Sequence, residues 1–89
     1  MKKLILAVTM MAALNVNAAD CDNIAVYARD VMTQRQNNTS MSSVYNNASE
    51  SGKIIVKRAY KESLFRTDKY KARAINSFEN KIFMECLDE

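Results

Sequence analysis

The sequence predicts a small all-α protein, a bundle or orthogonal array of about four helices held together by one disulfide. Apolar residues recur at steps of three and four through most of the chain, which is the period of a helix face. The chain contains no proline, and the breaks between its periodic stretches are short. Its two cysteines, Cys21 and Cys86, lie far apart in the sequence and can tie the first helix to the last.

The segment 1–18 has the features of a cleavable signal peptide. Lys2 and Lys3 precede an apolar run from Leu4 to Leu14, and such a run is shorter than the roughly 20 residues that a membrane-spanning helix needs. Small side chains precede a cut after Ala18, whereas a cut after Ala19 would place Asn17 at the −3 position. An uncleaved anchor is the alternative. We therefore expect a leader over 1–18, one helical domain over 19–89, and a periplasmic or secreted location.

The exported part of the chain is small and nearly neutral. Without Lys2 and Lys3 it has 11 basic and 10 acidic residues, a net charge of +1. A domain of about 70 residues buries a marginal core and usually needs a covalent staple. Two cysteines in an oxidising compartment predict a Cys21–Cys86 disulfide, worth roughly 4 kcal/mol for a loop of about 66 residues. Two free buried thiols are the alternative.

The first two predicted helices are separated by a polar break. The first is expected to begin at an Asp20 or Asp22 cap and to end near Gln36. Its apolar stripe comprises Cys21, Ile24, Ala25, Ala28, Val31 and Met32. The break covers 37–40, and Ser40 is expected to cap a short second helix whose apolar set is Met41, Val44, Tyr45 and Ala48.

The last two predicted helices carry most of the large apolar residues. After a break at 49–52, where Gly52 is expected to follow a helix in the left-handed conformation, a third helix is predicted over 53–65. Local propensity also permits a strand over 54–56, but the apolar pattern continues at helical spacing to Leu64 and Phe65. Thr67 or Asp68 is expected to cap a final helix through Leu87. Its apolar face comprises Ala74, Ile75, Phe78, Ile82 and Cys86.

No pattern in the sequence indicates catalysis, a metal or a cofactor. The chain contains no histidine, which removes the commonest general base and metal ligand. Carboxylates also cluster near the C-terminus, but a catalytic carboxylate pair needs a cleft, which a bundle of about 70 residues rarely provides. We expect neither enzymatic activity, nor a small-molecule substrate, nor a bound cofactor.

The charges are segregated along the chain. Residues 53–73 contain eight basic and two acidic residues, a local net charge of +6, whereas 74–89 has a net charge of −3. A solvated surface would explain this pattern, and so would a docking surface for an anionic partner. The candidate partner-binding residues of this basic face are Lys57, Arg58, Lys61, Arg66, Lys69 and Arg73.

The segment 31–40 resembles a recurring motif. Val31 and Met32 are followed after two residues by Arg35 and Gln36, and Ser40 closes the segment. This order is similar to that of short secreted helical proteins of proteobacteria and their phages, which have glycine where this chain has Asn38. The resemblance implies a leader, about four helices and a cysteine near each end, and it implies no activity.

These observations favour an exported binding protein over an enzyme. The first hypothesis is docking of the basic face on an anionic envelope protein, with an inhibitory or phage-exclusion role if the gene is phage-borne. The second is association with anionic lipid, and the third is a holdase active under acid stress. Nucleic acid would match the charge, but an exported protein seldom meets it. The oligomeric state is left open.

Overall fold

The computed structural model describes residues 18–88, and this part of the chain is all-α. Its four helices are α1 (Ala18–Gln36), α2 (Met41–Asn46), α3 (Glu50–Ala59) and α4 (Asp68–Leu87). The predicted leader falls outside the described residues except for Ala18. The predicted fold class is confirmed, as is the helical assignment of 54–56.

The long helices α1 and α4 form an antiparallel pair. Cys21 and Cys86 are bonded, with their Cα atoms 5.6 Å apart. Arg29 lies 3.8 Å from Glu79 in the middle of the pair, and the Lys71 ammonium donates to the Gln36 carbonyl at the far end. The predicted disulfide therefore closes one end of a pair whose side chains also meet along its length.

Helix α3 packs on α1 and runs in the same direction, with the short α2 packed mainly against α3. The core where the helices meet comprises Cys21, Ala28, Val31, Met32, Val44, Ile55, Val56, Ala59, Phe78, Ile82 and Cys86. The apolar stripes predicted for the first and last helices supply most of this core. In the second predicted set, only Val44 is buried, and Met41 is exposed.

Local side chains account for most of the helix ends. Ser40 and Thr67 cap α2 and α4 as predicted, each accepting a backbone N–H bond. Ser49 caps α3 by accepting from the Gly52 N–H at 3.1 Å. The predicted cap of α1 is wrong, because this helix begins at Ala18 and has Asp20 inside its first turn. There the carboxylate still faces the positive end of the helix dipole.

The third helix differs most from its prediction. It begins at Glu50 and ends at Ala59, so Leu64 and Phe65 lie outside it and are exposed. Gly52 is buried within the helix, and it has no positive φ. A Cβ at this position would lie 2.5 Å from the Tyr27 hydroxyl oxygen. The glycine therefore permits a close contact between α1 and α3 and does not end a helix.

Candidate functional site

The structure divides the six residues of the predicted basic face among three environments. Lys57 and Arg58 belong to the last turn of α3, and Lys61 follows that helix. Arg66 precedes α4, whose first two turns contain Lys69 and Arg73. Four of the six therefore belong to one continuous stretch, 61–73, which we call the basic tip.

Arg58 is committed to an ion pair inside the fold. Its guanidinium binds both carboxylate oxygens of Glu85, with one nitrogen–oxygen distance of 2.7 Å. Both side chains are mostly buried, at 27% and 28% exposure. A bidentate pair of this kind joins α3 to α4 and neutralises the cation. Arg58 is therefore less available to a partner than its neighbours in the sequence.

Lys57 lies beside the short helix α2. It is exposed and lines a shallow groove on α2 with Met41, Ser42, Tyr45 and Asn46. One turn earlier on α3, the ammonium of Lys53 lies 5.2 Å from the centre of the Tyr45 ring and 3.4 Å from a Glu50 oxygen. Lys53 and Lys57 thus both lie beside the short helix α2.

The basic tip combines exposed apolar side chains with cations. Leu64, Phe65 and Tyr70 are 40%, 37% and 47% exposed, and the Phe65 and Tyr70 ring centres lie 6.2 Å apart. The guanidinium carbon of Arg73 lies 5.4 Å from the centre of the Tyr70 ring. Large apolar groups held in water beside charged groups are typical of interaction surfaces.

The basic tip also contains two acidic residues, Glu62 and Asp68. Within residues 18–88, no carboxylate pairs with Lys61, Arg66, Lys69 or Arg73. The carboxylate of Glu62 is bound instead to Lys81 at 3.1 Å, on the side of the bundle where α3 meets α4. Among the described residues, the four cations of the tip are therefore not neutralised by an ion pair.

Two residues at the end of α1 hold the loop that carries Leu64 and Phe65. The buried amide of Gln36 donates to the Ser63 carbonyl at 2.8 Å and accepts from the Phe65 N–H at 2.9 Å. Arg35 donates twice to the Glu62 carbonyl, at 3.1 and 2.8 Å. These contacts replace the bonds that a longer α3 would have made.

Tyr60 joins the same network from the end of α3. Its hydroxyl donates to the Thr39 carbonyl at 2.7 Å, and Arg35 lies over its ring at 5.3 Å. Burial raises the pKa of Tyr60 above its usual value, and the nearby Arg35 charge partly opposes that shift. The hydroxyl therefore keeps its proton at neutral pH and remains a donor.

Arg35 and Gln36 were not among the candidate site residues. Both belong to the motif at 31–40, which was the one signal in the sequence that could have singled them out. Their partners are backbone groups beyond the third helix, and residue types alone do not reveal contacts between such distant parts of a chain. The loop of the basic tip is thus held by α1, from which none of the predicted partner-binding residues came.

The described residues contain no group of three or more His, Cys, Asp or Glu side chains that could hold a metal ion. Within the same residues, no helix is both long enough and apolar enough to cross a bilayer. No protein family, curated protein or solved structure gives a significant match to this chain.

Proposed function

We propose that the protein works by binding and not by catalysis, and that it docks the basic tip on an anionic surface in the cell envelope. The observation that carries this proposal is the pairing state of the tip. Lys61, Arg66, Lys69 and Arg73 have no carboxylate partner within residues 18–88, and they accompany three exposed apolar side chains. Such cations steer an anionic partner toward the tip, and salt weakens the attraction.

The envelope location is part of the proposal. The segment 1–18 has the charge and apolar run of a cleavable leader, and a Cys21–Cys86 disulfide persists in an oxidising compartment. Recovery of the oxidised protein from a periplasmic or culture fraction, with the mass of a chain starting at Ala19, would support this location. Recovery of the full-length, reduced chain from the cytoplasm would contradict it.

The docking proposal predicts that the position of the charges matters and not their number alone. The test is the salt concentration that elutes the protein from immobilised poly-glutamate. In the tip variant, Arg66→Gln, Lys69→Gln and Arg73→Gln remove three positive charges. In the control, Asn23→Glu, Asn46→Glu and Asn80→Glu produce the same net change at exposed positions outside the tip.

We expect the tip variant to elute at a clearly lower salt concentration than the control, because only the tip variant loses the local cluster. Equal elution of the two variants would mean that net charge alone governs retention, and the docking proposal would then be wrong. Thermal unfolding of both variants confirms that each is folded. The substituted side chains are exposed, so we expect little change in stability.

A further inference from the structure

We infer that the anionic surface recognised by the basic tip is that of a phospholipid bilayer, with Leu64, Phe65 and Tyr70 inserted among the headgroups. This inference rests on the proposed function and names its partner. An acidic protein surface would satisfy the cations equally well. The apolar side chains decide between the two, because a bilayer offers them an apolar layer directly beneath its charged headgroups.

Hydrogen bonds from α1 hold the backbone that carries Leu64 and Phe65. Gln36 bonds the loop on either side of Leu64, at the Ser63 carbonyl and the Phe65 N–H. These bonds anchor to α1 the backbone from which the exposed Leu64 and Phe65 side chains project. The loop thus keeps two large apolar groups in water, an arrangement that becomes favourable when a lipid layer covers them.

The composition of the tip suits the boundary between headgroups and acyl chains. Tyr70 has an apolar ring and a polar hydroxyl, the combination that is enriched at membrane–water interfaces. Lys69 and Arg73 are four residues apart within α4, which places them on one side of its first two turns, and Arg66 lies just before the Thr67 cap of the same helix. Cations so close to the apolar side chains would reach lipid phosphates when those side chains insert.

The tip lies at a corner of the fold, where the loop after α3 turns into α4. Within the described residues, no helix could span a bilayer, so the association we infer is peripheral. Its strength then depends on anionic lipid and on the inserted side chains together. Each of these contributions can be removed separately by substitution.

The test is co-sedimentation of the oxidised protein with vesicles of phosphatidylcholine alone and with vesicles that contain increasing proportions of phosphatidylglycerol. Leu64→Ser with Phe65→Ser removes apolar surface from the tip and leaves its charge unchanged. Met84→Ser with Leu87→Ser is the matched control, because these side chains are 58% and 46% exposed on the last turn of α4, away from the tip cations. The poly-glutamate assay is repeated for both variants.

We expect wild-type binding to rise with phosphatidylglycerol and to fall with salt. The Leu64→Ser, Phe65→Ser variant should lose about tenfold in vesicle affinity and keep its retention on poly-glutamate, whereas the Met84→Ser, Leu87→Ser control should match wild type in both assays. The chain has no tryptophan, so Phe65→Trp provides a single reporter. Its emission should shift to the blue when anionic vesicles are added.

The outcomes separate the inference from the proposed function. Retention on poly-glutamate without vesicle binding would overturn the bilayer inference and indicate an acidic protein partner. Vesicle binding that is unchanged by Leu64→Ser, Phe65→Ser, with no blue shift in the Phe65→Trp variant, would overturn insertion. If the Arg66→Gln, Lys69→Gln, Arg73→Gln variant also behaved like its Asn→Glu control, the proposed function would fail as well.

Discussion

At the scale of single residues, Asn38 adopts the helix-ending conformation that glycine usually provides, whereas Gly52 lies within a helix. The glycine lies inside a helix, where Tyr27 occupies the space of a missing side chain. Asn38 has φ 63°, the left-handed conformation that favours glycine. Two hydrogen bonds end α1 here. The Asn38 N–H donates to the Arg35 carbonyl, and the Thr39 N–H donates to the Gln34 carbonyl. This is the bonding pattern of a Schellman cap.

The left-handed cap at Asn38 gives a prediction for stability. Asn38→Ala should lower the free energy of unfolding by about 1 kcal/mol. The Cβ atom of alanine disfavours the left-handed conformation, and alanine lacks the polar side chain that lets asparagine adopt it. Asn38→Gly should maintain or raise it. Urea unfolding of the three proteins measures both changes. Asn37→Ala, at the exposed residue before it, is the control, and an order in which the alanine variant at 38 is the most stable would contradict the assignment.

At the scale of elements, helix boundaries set by local residues could be predicted from the sequence. The end of α3, where the following loop contacts α1, could not. The caps at Ser40 and Thr67 and the core face of α4 follow from local chemistry and helical period, and these were predicted. The end of α3 at Ala59 depends on Arg35 and Gln36, which lie on α1, two helices earlier in the chain. From helical spacing alone, Leu64 and Phe65 were predicted to belong to the apolar face of α3. This prediction is wrong, because both residues lie outside the core.

The candidate site was predicted in part for the same reason. Charge counting singled out Lys61, Arg66, Lys69 and Arg73, for which the structure shows no ion pair among the described residues. Counting could not show that Arg58 is bound to Glu85, since these residues are 27 positions apart. Nor could it show which apolar side chains stay exposed beside the cations, because that follows from the early end of α3.

The anchoring of the loop by Gln36 gives a prediction at this scale. Gln36→Ala should lower the free energy of unfolding by about 2 kcal/mol, because the Ser63 carbonyl and the Phe65 N–H both lose a partner. Amide exchange at Phe65 should quicken more than exchange within α4. Gln34→Ala, at an exposed position on the same helix, should cost less than about 0.5 kcal/mol. Unchanged exchange at Phe65 would show that the amide does not hold the loop.

At the scale of the whole molecule, the stability of the fold depends on how its two long helices are joined. Besides their apolar packing, α1 and α4 are linked within residues 18–88 by the long Arg29–Glu79 contact and by one bond from Lys71 to the Gln36 carbonyl. Partly exposed ion pairs contribute little. Among the described residues, Phe78 is the one aromatic residue of the buried cluster, and the other aromatic side chains that pack against it are only partly buried. The covalent bond between Cys21 and Cys86 is therefore the strongest single constraint on the helix pair.

Removing that bond should destabilise the fold severely. The cysteines are 65 positions apart, and closing a loop of this length restricts the unfolded chain by roughly 4 kcal/mol in the chain-entropy model. Cys21→Ala with Cys86→Ala should lower the urea midpoint by a corresponding amount, and reduced wild type should behave alike. Adding reductant to the double variant is the control and should change nothing. A variant with the wild-type midpoint would show that packing between α1 and α4 is sufficient without the disulfide.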